Sequence, residues 1–231
     1  MSTSGVTTYQ LTASDLINAA YRKTGVMAKG QTADTEELTY GLQALNLIIP
    51  QLRTLGLQLW KLSASTLTLV TNTNTYTLAQ PNKPAKIHQA WITPTTSGTK
   101  IPVEVVSVFN MNMLPDTSSG IPVKLSYVPG NTSGTITIWP KPSATVVSNY
   151  TFYYEEIDEI QIVSSLTETV DFPSEWHQAL VWGVASQLAI ELNVPLQDRQ
   201  YIDSQYAKAV ELAELGGQEN ASLFVQPNLE R

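Results

Sequence analysis

Glu155-Glu156-Ile157-Asp158-Glu159 is the densest cluster of potentially acid–base-active groups in the chain, with four carboxylates in five positions. Two carboxylates can cleave a glycosidic bond when their surroundings drive their pKa values apart, one acting as acid and the other as base or nucleophile. Four acids at the exit of a strand more often form a solvated or passage-lining surface, and that reading is preferred. The rest of the inventory is thin. His88 and His177 lie far apart, there is no cysteine, and no spaced ligand motif joins the histidines to carboxylates. Each histidine reads as a structural or interface residue. Gly216-Gly217 ends a helix rather than opening one, so it is no phosphate loop. Lys83, Lys86 and Lys100 stand among aromatic strands, as in a stacking platform. Six lysines spread through that region are better read as ordinary solubilising charge, with Trp91, Tyr127 and Trp139 in the core or at contacts. The expectation is a chain without catalysis, cofactor or metal.

The elements that position these groups centre on Phe172-Pro173-Ser174-Glu175-Trp176 and the alanine-rich run closed by Asn193-Val194-Pro195. Pro173 suits a first helical position and Glu175 the positive end of the dipole. Trp176, Leu180, Val184, Leu188 and Leu192 recur every four residues, with Val181, Ala185 and Ala189 as a second stripe. A helix apolar on two sides has neighbours on two sides, and Gly183 with its alanines admits them closely. The segment therefore reads as the centre of a helical bundle, with Trp182 free to reach a neighbouring subunit.

Two helices precede it. Thr12 caps the first, which ends at Gly25, and the second begins after Thr32 or Asp34 and ends at Gly56. Pro50 should kink or divide the second. From Trp60 to Tyr154 the period changes to two, and about seven strands separated by Gly, Asn and Pro turns predict an antiparallel sandwich or barrel, interrupted by a helical turn near Ser107–Leu114. A last helix runs from about Asp198 to Leu215. The fold class is α+β. Its parts are 1–60 and 161–217 as the helical bundle, 61–160 as the inserted β domain, and 218–231 as an extended arm whose Leu223, Phe224, Val225 and Pro227 form a partner-binding peptide.

Composition restricts the class further. Charged residues make up 14% of the 231, against roughly 25% in ordinary soluble domains. Such a chain suits a subunit whose flanks are covered by neighbours. Residues 57–150 carry a net +4 and residues 151–231 a net −11, so the last third repels phosphate backbones. Neither a signal peptide nor a long apolar run is visible, which predicts a soluble protein without a membrane partner.

The order of elements from Leu11 to Gly216 resembles the head-to-tail adaptor proteins of short-tailed bacteriophages, also called tail accessory or packaged-DNA stabilisation factors. The residues carrying the likeness are Gly120-Ile121-Pro122 before a strand, Ile138-Trp139-Pro140-Lys141-Pro142, the aromatic strand Tyr150–Tyr154, and Phe172–Trp176 opening the alanine-rich helix. The resemblance implies a virion structural protein at the head-to-tail junction, assembled in the host cytoplasm as a ring of about twelve copies, a homododecamer. Its partners would be the portal protein, docked by the C-terminal arm, a tail or nozzle protein facing the β domain, and genomic DNA passing through the lumen without sequence-specific binding. Some members of such families are credited with cell-wall hydrolysis. That leaves two alternatives: a carboxylate-based peptidoglycan hydrolase of the tail, and a glycan-binding β module.

Overall fold

The computed structural model describes residues 9–28, 30–54, 59–81 and 83–216. In chain order its elements are α1 (Ala13–Thr24), α2 (Thr35–Leu52), β1 (Leu62–Leu67), β2 (Thr75–Ala79), β3 (Pro84–Pro94), β4 (Ile101–Val105), α3 (Val108–Asn112), β5 (Ser119–Gly120), β6 (Lys124–Pro129), β7 (Ser133–Trp139), β8 (Lys141–Pro142), α4 (Ala144–Asn149), β9 (Tyr150–Asp158), α5 (His177–Glu191) and α6 (Leu196–Gly216). They fall into two compact units, Met1–Trp60 with Ile160–Arg231, and Lys61–Glu159.

Local chemistry starts and stops the helices. The Thr12 hydroxyl accepts from the Asp15 amide at the start of α1, and Gly25 closes it with φ at 75°. At that angle a side chain would strain the backbone, so glycine fits. A capping box opens α2: the Asp34 carboxylate accepts from the Glu37 amide while the Glu37 carboxylate accepts from the Asp34 amide. Pro50 does not divide α2, which continues to Leu52 with the Arg53 amide bonded to the Ile49 carbonyl. Pro50 has no N–H to give the Asn46 carbonyl, so the helix forgoes one bond there without breaking.

The central helix starts later than expected. Pro173 stands outside it at φ −66°, ψ 160°, Ser174–Trp176 form a 3-10 turn, and α5 proper begins at His177. Pro195 lies beyond the end of α5, and its carbonyl accepts from the Arg199 amide at the start of α6. Between these marks Leu180, Val184 and Leu188 on one stripe and Val181, Ala185 and Ala189 on the other are all buried. Ile48 of α2 and Tyr206 of α6 both approach Gly183 so closely that a Cβ there would lie 3.2 and 2.9 Å from them. Trp60, Phe172 and Trp176 form an aromatic cluster with centroids 5.4 to 6.2 Å apart. The segment before α5 belongs to this core: Ile160, Val163 and Val170 are buried, and Asn46 exchanges two hydrogen bonds with Val163, at 2.8 and 3.0 Å.

The other unit is a curled seven-stranded sheet in the order β1-β9-β3-β4-β6-β7-β2. Its pairs are antiparallel except β4 and β6, which run parallel, so the sheet is mixed rather than antiparallel throughout. The parallel pair arises because α3 and the chain up to Ile121 lie between β4 and β6, leaving room for a crossover where a tight hairpin would have forced reversal. Alternate residues of β7, Ile136 and Ile138, and of β9, Phe152 and Tyr154, point into one core with Ile92 and Leu125. Each such side chain, fully removed from water, contributes about 1.5 to 3 kcal/mol.

Candidate functional site

The carboxylate cluster lies at the C-terminal end of β9, and the period of two in a strand divides it. Glu155 turns outward and accepts from the exposed Gln89 amide on β3. Glu156 turns inward beside Tyr154 and is only 5% exposed. One of its oxygens accepts from the Ser65 hydroxyl across the β1–β9 pair, while Oε2 meets no donor among the described residues. Burial pushes the Glu156 carboxyl above its ordinary 4.5, Asp158 adds to that rise, and the Ser65 hydrogen bond opposes it. Asp158 accepts from Ser63 at 3.1 Å. Glu159 takes an ion pair from Lys83 and a 3.1 Å hydrogen bond from the Gln80 amide.

Each of the four acids thus has a partner from a neighbouring strand or loop. Neither of two cavities in the helical unit, of about 500 and 590 Å³, is lined by these carboxylates. A glycosidase pair needs two carboxyls facing one sugar with their pKa values split. Here Glu156 and Asp158, two residues apart on β9, are built into a sheet beside buried or half-buried phenols: burial foremost lifts Tyr127 and Tyr154 to about 12, with Glu156 among the charges that add to it.

The two histidines fall in different units. His88 is exposed on β3. His177, at the first position of α5, is 4% exposed, meets the Tyr9 ring edge-on at 6.2 Å, and neither ring nitrogen has a well-formed hydrogen bond among the described residues. Burial pushes it below its ordinary 6.5, against the Phe172 carbonyl and the Glu175 charge. It is a buried residue of the helical unit. Among the described residues no three His, Asp or Glu side chains converge as metal ligands do.

The lysines separate as well. Lys100 stands 4.3 Å over the Trp91 ring, which stacks at 5.7 Å on Tyr153 of β9. Lys83 is not a solubilising charge: it is 6% exposed and paired with Glu159. Sequence reasoning missed this pair, since nothing local marks a lysine whose partner is 76 residues away. Trp182 is engaged within the bundle, edge-on to Tyr201 at 6.3 Å and beneath Lys23 at 4.8 Å. Leu223, Phe224, Val225 and Pro227 lie outside the described residues.

The chain is thus a helical unit around α5 and a curled mixed sheet, and the carboxylates of the β9 cluster are engaged by the sheet unit's own side chains. The chain belongs to the SU10 adaptor protein family, which it matches over residues 11–227, a family of phage adaptor proteins consistent with the resemblance read from its motifs. No curated protein matches it. Membership supports a structural adaptor role in the virion alongside other head and tail proteins. Among the described residues no helix is long and apolar enough to cross a membrane.

Proposed function

We propose that the protein is a ring-forming head-to-tail adaptor that joins the portal to the tail and helps retain packaged DNA, acting without catalysis. The observation that carries this reading is the family match across 217 of 231 positions, residues 11–227. Its mechanism is geometric. Copies bury charge-poor flanks against one another, while the net −11 of residues 151–231 keeps DNA from adhering inside the lumen. Residues 218–231 form the arm that docks the portal through Leu223, Phe224, Val225 and Pro227, and many arms engaging one ring multiply a weak contact. The parts at 61–160 then face a tail or nozzle protein.

Native mass spectrometry of the full chain, with and without a portal ring, tests the reading. Discrete multiples of 25.3 kDa on the portal are expected, and deletion of Gln218–Arg231 should abolish attachment while leaving the helical and strand signals unchanged. A truncated chain that still loads onto portals removes the arm from the mechanism. The hydrolase alternative draws on the raised pKa of Glu156, the property of a general acid, but a carboxyl 5% exposed within a sheet cannot meet a polysaccharide.

A further inference from the structure

Two helices of the bundle keep apolar side chains in water, at a spacing that deserves a physical cause. On α2 the buried side holds Leu45, Ile48 and Leu52, and the opposite side presents Glu36, Tyr40, Gln43, Leu47 and Pro50, all exposed. On α6 the buried side holds Ile202 and Ala213, and a second stripe presents Tyr201, Gln205, Lys208, Leu212 and Leu215, all exposed except the half-buried Gln205. Both stripes advance by four, three, four and three residues, the 3.5-residue period of helices that pack side by side. Leu47 is 63% exposed, Leu212 69% and Leu215 57%. Solvent alone does not call for leucines at such positions.

We infer that the outward stripe of α2 in one copy packs in parallel against the outward stripe of α6 in a second copy. The parallel register matches polarity along the whole length. Leu47 meets Leu212 and Pro50 meets Leu215 at the C-terminal ends, Gln43 meets Lys208 and Tyr40 meets Gln205 in the middle, and Glu36 meets the Tyr201 hydroxyl at the N-terminal ends. Reversing one helix sets Glu36 against Leu215 and Leu47 against Gln205. Each stripe carries one charge, the Glu36 carboxylate on α2 and the Lys208 ammonium on α6, and in this register each meets a polar, uncharged side chain. The side of α2 from Leu38 to Leu52 has no other charge to strip of water.

A second copy is the occupant because every chain carries both halves of this contact. The stripe on α2 is roughly 21 Å long and about 10 Å wide, so it covers on the order of 200 Å², short of the roughly 800 Å² per partner of a lasting pairwise interface. Two different surfaces meeting make a heterologous contact, which repeats around a ring, each copy using α2 on one neighbour and α6 on the other. The contact deepens the ring reading proposed above and rests on it only for that closure.

Disulfide trapping tests it cleanly, because the chain has no cysteine of its own. Full-length Leu47→Cys and Leu212→Cys are oxidised separately and as an equal mixture, and native mass spectrometry counts copies in unoxidised samples. Both sites are exposed, so circular dichroism should match the parent. The expected result is a covalent dimer in the mixture and in neither variant alone. Dimers of Leu212→Cys by itself overturn the contact, as does the absence of any disulfide, including the case in which the stripes become protected from hydrogen exchange only on adding portal. Rings without the mixed disulfide overturn the contact and leave the adaptor reading standing; the mixed disulfide without rings does the reverse.

Discussion

The two units build their apolar cores by opposite means. Around α5 the helices approach through small residues, Ala179, Gly183, Ala185 and Ala189, so the backbone itself is the packing surface. In the sheet the core is filled from within by Phe152, Ile92, Ile136 and Ile138, and the strands stand apart around them. Sensitivity to substitution therefore has opposite signs. One unit cannot accept added volume and the other cannot lose it. Burial also moves one titratable side chain in each unit, in opposite directions: it pushes His177 below its ordinary value and Glu156 above.

The largest test of this contrast is Phe152→Ala, which leaves a cavity the size of a ring and should cost about 3 to 5 kcal/mol. Hydrogen exchange should show protection lost across Lys61–Glu159. Unchanged protection there would mean the sheet refills its interior. Next comes Gly183→Leu, which drives side-chain atoms into Tyr206 and Ile48 and should cost about 1 to 3 kcal/mol by overpacking. Its effect belongs to the helical unit, read from the melting of the helical signal at 222 nm in circular dichroism. An unshifted melting curve would show that the helices separate there at little cost.

The smallest effect sharpens the comparison by pH. The pKa of His177 lies below its ordinary 6.5 in the folded chain, so its contribution to stability is intact above 6.5 and is lost as pH falls through that value. The pKa of Glu156 lies above its ordinary 4.5, so its contribution is full below 4.5 and is lost as pH rises through the folded value. Acidification from about pH 7.5 to about pH 5.5 should therefore weaken exchange protection around α5 without weakening it along β9 at Glu156. Glu156→Gln should flatten the trend at β9 and leave that at α5 unchanged. A parallel loss in both units would refute the assignment.

Much of the fold was legible because its signals are local. Thr12 and Gly25 bound α1, Glu36 and Glu37 mark the first turn of α2, and the switch to period two after Trp60 announces the sheet. Other features were illegible for equally definite reasons. The start of α5 was misplaced because Pro173 suits both a first helical position and the extended residue before a 3-10 turn. The short α4 was missed because Ala144-Thr145-Val146-Val147 has the composition of a strand. Whether β4 and β6 run parallel depends on the path of the intervening chain, which periodicity does not record. The candidate site suffered most, since four adjacent carboxylates look like one cluster until the pleat assigns them to different faces.

By itself, the sequence determined the α+β class, the helix ends, most strands and the family to which the chain belongs, because caps, turns and periods act over a few residues. Only the tertiary structure decided that Lys83 is buried against Glu159, that Glu156 and His177 are interior groups with pKa values pushed in opposite directions, and that the outward stripes of α2 and α6 stay in water. Those outcomes depend on which distant segments remove a side chain from solvent, and solvent exclusion is set by the whole fold.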